Sequence, residues 1–150
     1  MTEPIISTDE MLERLLTTTN ISRFIKRNQS HMRSQPFCTY LKELCKEKGV
    51  IAAQVIAKSG IERTYGHHIF NGDKNPSRDK AIQLAFGFGI NYEEAQDMLR
   101  AAGKNALYPK IMRDAVVIFA LEHKMSLDDV QTALEELKLP LIGVREKDQT

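Results

Sequence analysis

The chain has 150 residues, of which 42% are hydrophobic and 27% charged, and its formal net charge is +1. This composition suffices for a buried core and excludes a disordered chain, while the net charge is too small to indicate nucleic acid by itself. The distribution says more: residues 21–80 carry 12 Lys/Arg against 5 Asp/Glu, a surplus of +7, whereas residues 1–20 and 81–150 carry −3 each. Such a basic stretch either attracts phosphates or forms ordinary solvated helix faces.

Strand signals are nearly absent, and the pattern predicts an all-α fold. Thr8 is expected to cap a short helix to Leu16, with Met11, Leu12, Leu15 and Leu16 on its apolar side. Asn20 caps a second, turning Ile21, Phe24 and Ile25 inward and Arg23, Lys26 and Arg27 outward, and residues 28–36 read as a polar loop containing Arg33. A helix over 37–48 places Phe37, Leu41, Leu44 and Cys45 on one face and is stopped by Gly49. Residues 51–59 and 62–71 form two short helices stopped by Gly60 and Gly72. Pro76 is expected in the first turn of a helix running to Phe86 and ended by the Gly87-Phe88-Gly89 tract. Asn91 with Glu94 forms a capping box for a helix ending at Gly103. Pro109 opens a helix to about His123, apolar nearly all round from Val116 to Leu121 and therefore expected to be buried. Ser126 with Asp129 caps a last helix carrying Leu127, Val130, Leu134 and Leu137 inward; Pro140 stops it, and residues 145–150 read as a polar, frayed tail.

Cys38 and Cys45 lie seven positions apart on one helix, so they share a side but stand about 10 Å apart, too far for a disulfide. They read as small core residues of a reducing compartment. The acidic N-terminus lacks the basic and apolar regions of a signal peptide, and the longest aliphatic run, 115–121, is too short for a membrane span, so a cytoplasmic location without a membrane partner is expected.

One internal repeat stands out. RDKAIQLAFGFGINYEEAQDML, from Arg78, and RDAVVIFALEHKMSLDDVQTAL, from Arg113, align at an offset of 35 residues, matching Arg78, Asp79, Ala85, Gln96 and Leu99 with Arg113, Asp114, Ala120, Gln131 and Leu134. The capping boxes fall in register. This predicts a second helical pair similar to the first, stacked beyond it.

Residues 41–99 resemble the lambda-repressor/Cro-like (XRE) helix-turn-helix family. The segments carrying the resemblance are LKELCKEKGV, IAAQVIAKSGI, ERTYGHHIFNG, DKNPSRDKAIQLAFGFG and INYEEAQDML, and the most specific part is Asn71, Gly72, Asn75, Pro76 and Ser77. The resemblance implies a five-helix core, to which the flanking helical patterns add short N-terminal helices and a C-terminal helical hairpin: an extension over 1–35, a DNA-binding domain over 36–104, a hairpin over 105–142 and a flexible tail over 143–150. It further implies a transcriptional regulator, a repressor, that places the helix over 62–71 in the major groove of double-stranded DNA as a homodimer. Arg63, Thr64, His67 and His68, with Tyr65 nearby, would then read bases, while Asn71, Lys74, Asn75, Ser77 and Arg78 would grip the phosphate backbone. The C-terminal pair, 110–137, is the candidate for dimerisation, an effector or a protein partner.

The sequence departs from the family pattern at three positions: Ala52 replaces a phosphate-gripping Gln, Ile56 a small residue, and Gly66 an Ile or Val. The last two are readable as one compensated change, a large Ile56 filling the space vacated by Gly66. The departures and the near-neutral charge keep a second reading open, an adaptor or antitoxin-like interaction module on the same fold. His67-His68 diverge by about 100° on a helix and share no metal. The paired acids at 93–94 and 128–129 sit in first helical turns, where the helix dipole favours them. No nucleophile elbow, phosphate loop or zinc-protease pattern occurs, so neither an enzyme nor a cofactor is expected.

Overall fold

A computed structural model describes residues 7–28 and 35–143. All the regular elements among them are α-helices, and by their contacts the chain divides into two compact units, residues 1–34 and 35–150. Of the expected loop over 28–36, residues 29–34 with Arg33 lie outside the described residues, as does the expected tail over 145–150, while Asn28 belongs to the second helix rather than to the loop.

The first unit holds α1 (Thr8–Thr17) and α2 (Ile21–Asn28). The cap of α1 is Ser7, whose side chain accepts the Glu10 N–H at 3.1 Å, one residue ahead of the expected Thr8. Asn20 caps α2 as expected, through the Arg23 N–H. The apolar side of α1 buries nothing, and α2 buries Phe24 and Asn28 but leaves Ile21 and Ile25 exposed. Helices this short offer too little apolar area to close a core of their own.

The second unit begins with α3 (Phe37–Lys48), α4 (Ala52–Ser59) and α5 (Arg63–Asn71). It continues with α6 (Arg78–Phe88), α7 (Tyr92–Ala101), α8 (Met112–Glu122) and α9 (Leu127–Glu136). Gly49, Gly60, Gly72 and Gly89 end α3 to α6 in the left-handed conformation that lacks a steric penalty only for glycine. One core cluster runs through all seven helices, from Leu41 and Leu44 through Val55, Ile56, Ile69 and Leu84 to Met98, Val117 and Leu134. Cys38 and Cys45 are free, half-buried thiols, and burial pushes the Cys45 thiol up.

Helix α6 differs from the expectation at both ends. Ser77, not Pro76, stands at its N-terminus, accepting the Lys80 N–H at 3.2 Å, and the helix continues through Gly87 and Phe88 to Gly89. Gly87 is a packing glycine rather than a stop: a Cβ there would strike the Val55 carbonyl and press on the side chains of Val55 and Ser59, so its absence lets α6 lie close against α4. At α7 only half of the expected capping box forms. Asn91 accepts the Glu94 N–H at 2.9 Å, but the Glu94 carboxylate turns to Lys48 at 2.6 Å and ties α7 to the end of α3. The helix expected from Pro109 starts at Met112, behind a turn in which the Ile111 N–H donates to Tyr108 O. Nor is that helix buried all round: Val117, Ala120 and Leu121 are inside, yet Phe119 is 56% exposed. Leu137, expected inward on α9, is exposed because the helix ends before it.

The 35-residue repeat reappears in the hydrogen bonds of its Arg, Asp and Gln residues. Gln96 clamps the backbone of Leu107, accepting its N–H at 2.8 Å and donating to its carbonyl at 2.9 Å, and Gln131 clamps Ile142 identically, both at 2.8 Å. Arg78 donates to the carbonyls of Asn105 and Ala106, and Arg113 to those of Pro140 and Leu141. The guanidinium groups then cross over: Arg78 holds Asp114 through two bonds, at 3.2 and 2.9 Å, and Arg113 holds Asp79 through two, at 3.0 and 2.8 Å. Asp114 also accepts the Tyr108 N–H and Asp79 that of Gly143. Even the backbone follows, since the non-glycine residues with positive φ among the described residues, Lys124 and Lys138, are the counterparts of Gly89 and Gly103. The hairpins α6–α7 and α8–α9 therefore form an internal pair in which each makes the other's contacts.

Candidate nucleic-acid interface

Helix α5 is held from below. Gly66, Ile69 and Phe70 are buried, and a Cβ on Gly66 would lie 2.6 Å from Cγ2 of Ile56. The large Ile56 thus occupies the space that Gly66 leaves, the compensation read from the sequence. At about 100° per residue, this seats one side of α5 in the core and turns Thr64, His67, His68 and Asn71 to the other, while Arg63, in the first turn, stands in line with Gly66 and Phe70. Arg63, Thr64, His68 and Asn71 are exposed and His67 is half-buried. Tyr65 lies at the edge of the core, half-buried, with the Lys80 ammonium 6.0 Å from its ring centroid.

The chain leaves α5 through Gly72, with the N–H groups of Asp73 and Lys74 both donating to the His68 carbonyl. His68 Nδ1 lies 3.1 Å from Asp73 Oδ2. Lys74, Asn75 and Ser77 are exposed around the buried Pro76. Arg78 does not join them. The guanidinium that the resemblance assigns to a phosphate is taken up by Asp114 and two carbonyls, because the α6–α8 pairing requires it there.

Three residues beyond the expected set shape this surface. Glu62, read as the first residue of the helix, instead precedes it and accepts the N–H groups of Thr64 and Tyr65 at 3.0 and 2.8 Å. These amides, aided by His68, hold its carboxyl below the usual range, so a carboxylate stands at the tip of α5. Asp73 and Lys80 are the other two, and their pairing with His68 and Tyr65 has no signature in sequence spacing. On α4, Gln54 accepts the Ile51 N–H at 3.1 Å and so closes the helix start where Ala52 provides no polar group. No group of three or more His, Cys, Asp or Glu among the described residues is placed to hold a metal, and no helix among them is long and apolar enough to cross a membrane.

No family model, curated protein or solved structure matches the chain.

Proposed function

We propose that this chain is a sequence-specific double-stranded DNA-binding regulator in which α4, the Gly60 turn and α5 act as a helix-turn-helix of the lambda-repressor/Cro type. The observation that carries the reading is the polar face of α5, which runs from Thr64 through His68 to Asn71, with Arg63 exposed at the start of the helix, and continues into the exposed Lys74, Asn75 and Ser77. A helix seated by its small residue on a neighbouring helix, with its polar side outward and a basic loop at its end, suits a major groove flanked by phosphates. Arg63 is the residue with the geometry for bidentate contact to guanine, Thr64, His67 and His68 supply further donors and acceptors, and Lys74, Asn75 and Ser77 contact the backbone. A repressor acting as a homodimer in the cytoplasm is the form this function takes.

Fluorescence anisotropy with DNA fragments from the chain's own upstream region, in a salt series, tests it. Selective binding to one fragment is expected, weakening steeply with salt, and Arg63→Ala should cost about 1–3 kcal/mol and the sequence preference. Equal, weak binding to every fragment overturns the reading. Glu62 is the observation that favours the alternative, an adaptor or antitoxin-like module, since a carboxylate at the tip of α5 repels phosphate. A protein complex that survives nuclease treatment would then take the place of DNA.

A further inference from the structure

Where the ends of α4, α6 and α8 meet the start of α9, the surface folds into a cavity of about 330 Å³. That is the lower end of the range for small-molecule sites, about 300–1,000 Å³. Phe86, Ile90 and Leu121 are its buried floor, and Phe88 and Leu127 stand half-buried in its walls. Two lysines complete the lining. Lys124 reaches from the end of α8 to donate from Nζ to the Gly89 carbonyl at 2.9 Å, which holds its ammonium at the rim and uses one of three N–H groups. Lys58, in the last turn of α4, is exposed, and its ammonium meets no carboxylate among the described residues. The carboxylates around Lys124 have other partners: Glu94 is bound to Lys48 at 2.6 Å, Glu122 accepts the Tyr92 N–H at 3.0 Å and Asp129 the Ser126 N–H at 3.2 Å. Asp128, exposed in the first turn of α9, forms no ion pair with either lysine. An apolar floor beneath two ammonium groups without anions is complementary to a small molecule with an apolar body and a negative charge.

The walls of this cavity also support α4, the Gly60 turn and α5. Leu127 lies on the turn, since a Cβ on Gly60 would stand 3.2 Å from Leu127 Cδ2. The Phe88 ring faces Phe70 of α5, with centroids 6.4 Å apart. We propose that the cavity is an effector site for a small carboxylate with an apolar body. The carboxylate is held by Lys58 and Lys124, and the body lies on Phe86, Phe88 and Ile90, against the residues that set α5 on α4. In making the ligand a regulator the proposal rests on the DNA-binding reading; the binding site itself is independent of it.

Calorimetric titration of the full chain with octanoate, octanol and octylammonium, without DNA, tests the site. Octanoate is expected to bind saturably, about tenfold or more tighter than the other two, because it alone brings a charge opposite to that of the lysines. Lys58→Gln and Lys124→Gln should each weaken it about three- to tenfold, and Lys110→Gln, an exposed lysine outside the cavity, should not. The amide resonances of Gly89 and Leu127 should move during the titration. Absence of saturable binding, equal binding of the three compounds, or octanoate binding indifferent to both cavity lysines overturns the proposal. With a selected DNA fragment present, octanoate should change the affinity for the fragment, and the fragment should change the affinity for octanoate by the same factor. A fragment affinity unmoved by saturating octanoate overturns the effector role. Octanoate binding with the lysine signature but no DNA selectivity leaves the site standing and removes the DNA reading. DNA selectivity in a chain that takes up no octanoate does the reverse.

Discussion

A methyl group on residue 66 would meet Ile56 at 2.6 Å from Cγ2 and 2.9 Å from Cγ1. Gly66 and Ile56 must therefore be considered together. Alanine at 66 gains helix propensity of about 1 kcal/mol, but overpacking against a side chain that is 2% exposed costs about 1–3 kcal/mol. Gly66→Ala is expected to lower the urea midpoint. Ile56→Ala alone should cost about 2–5 kcal/mol through the cavity it opens. In the double variant the new methyl enters that cavity, so its loss should be clearly less than the sum of the two. An additive result would show that the two positions do not share one space. Arg78 teaches a related lesson: its residue type suits a phosphate, but four hydrogen bonds commit it elsewhere.

Between elements, the hairpins are fixed by glutamine rather than by apolar packing alone. Gln96 and Gln131 each satisfy both backbone groups of a residue 11 positions on, Leu107 and Ile142, which are 3% and 1% exposed. Replacing either glutamine with leucine keeps the bulk but leaves a buried N–H and a buried carbonyl unpaired, at about 1–3 kcal/mol for each. Thermal melts should show both variants destabilised, Gln96→Leu more strongly because Gln96 is buried whereas Gln131 is half-buried. Equal stability to the unmodified chain would mean that water replaces the lost bonds.

Across the whole second unit, the crossed Arg–Asp pairs join the two hairpins, and the Arg113–Asp79 pair gives stability an acid limit. Burial alone would raise the Asp79 carboxyl; the Arg113 guanidinium, the Gly143 amide and the charges of Arg113 and Arg78 outweigh it and hold the carboxyl below its ordinary range. A carboxyl depressed in the folded state contributes stability that is fully present above its unfolded value, about 3.9, and is lost as pH falls through the lower folded value. Urea midpoints should therefore be level near neutrality and decline below about pH 4. Asp79→Asn should lower the midpoint at pH 7 and flatten part of that decline. Glu94, lowered chiefly by its bond to Lys48, retains the remainder. An unchanged acid limb in Asp79→Asn would show that the Arg113 pair does not couple to folding.

The sequence by itself determined the helices, most of their stops and the existence of a duplicated hairpin, because these depend on local rules: apolar spacing, a capping side chain three residues from its amide, a glycine where φ turns positive. The resemblance also pointed to Ile56 and Gly66 as one compensated change, and the packing of Ile56 against residue 66 agrees with it. What only the tertiary structure decided were partners distant along the chain. Gly87 reads as a stop until α4 is seen lying on it, Arg78 reads as a phosphate ligand until Asp114 is seen beneath it, and the run from Val116 to Leu121 reads as buried until Phe119 is found outside. Hydrophobicity and charge state what a side chain can satisfy; which neighbour satisfies it, or whether it is left exposed, depends on how the helices pack.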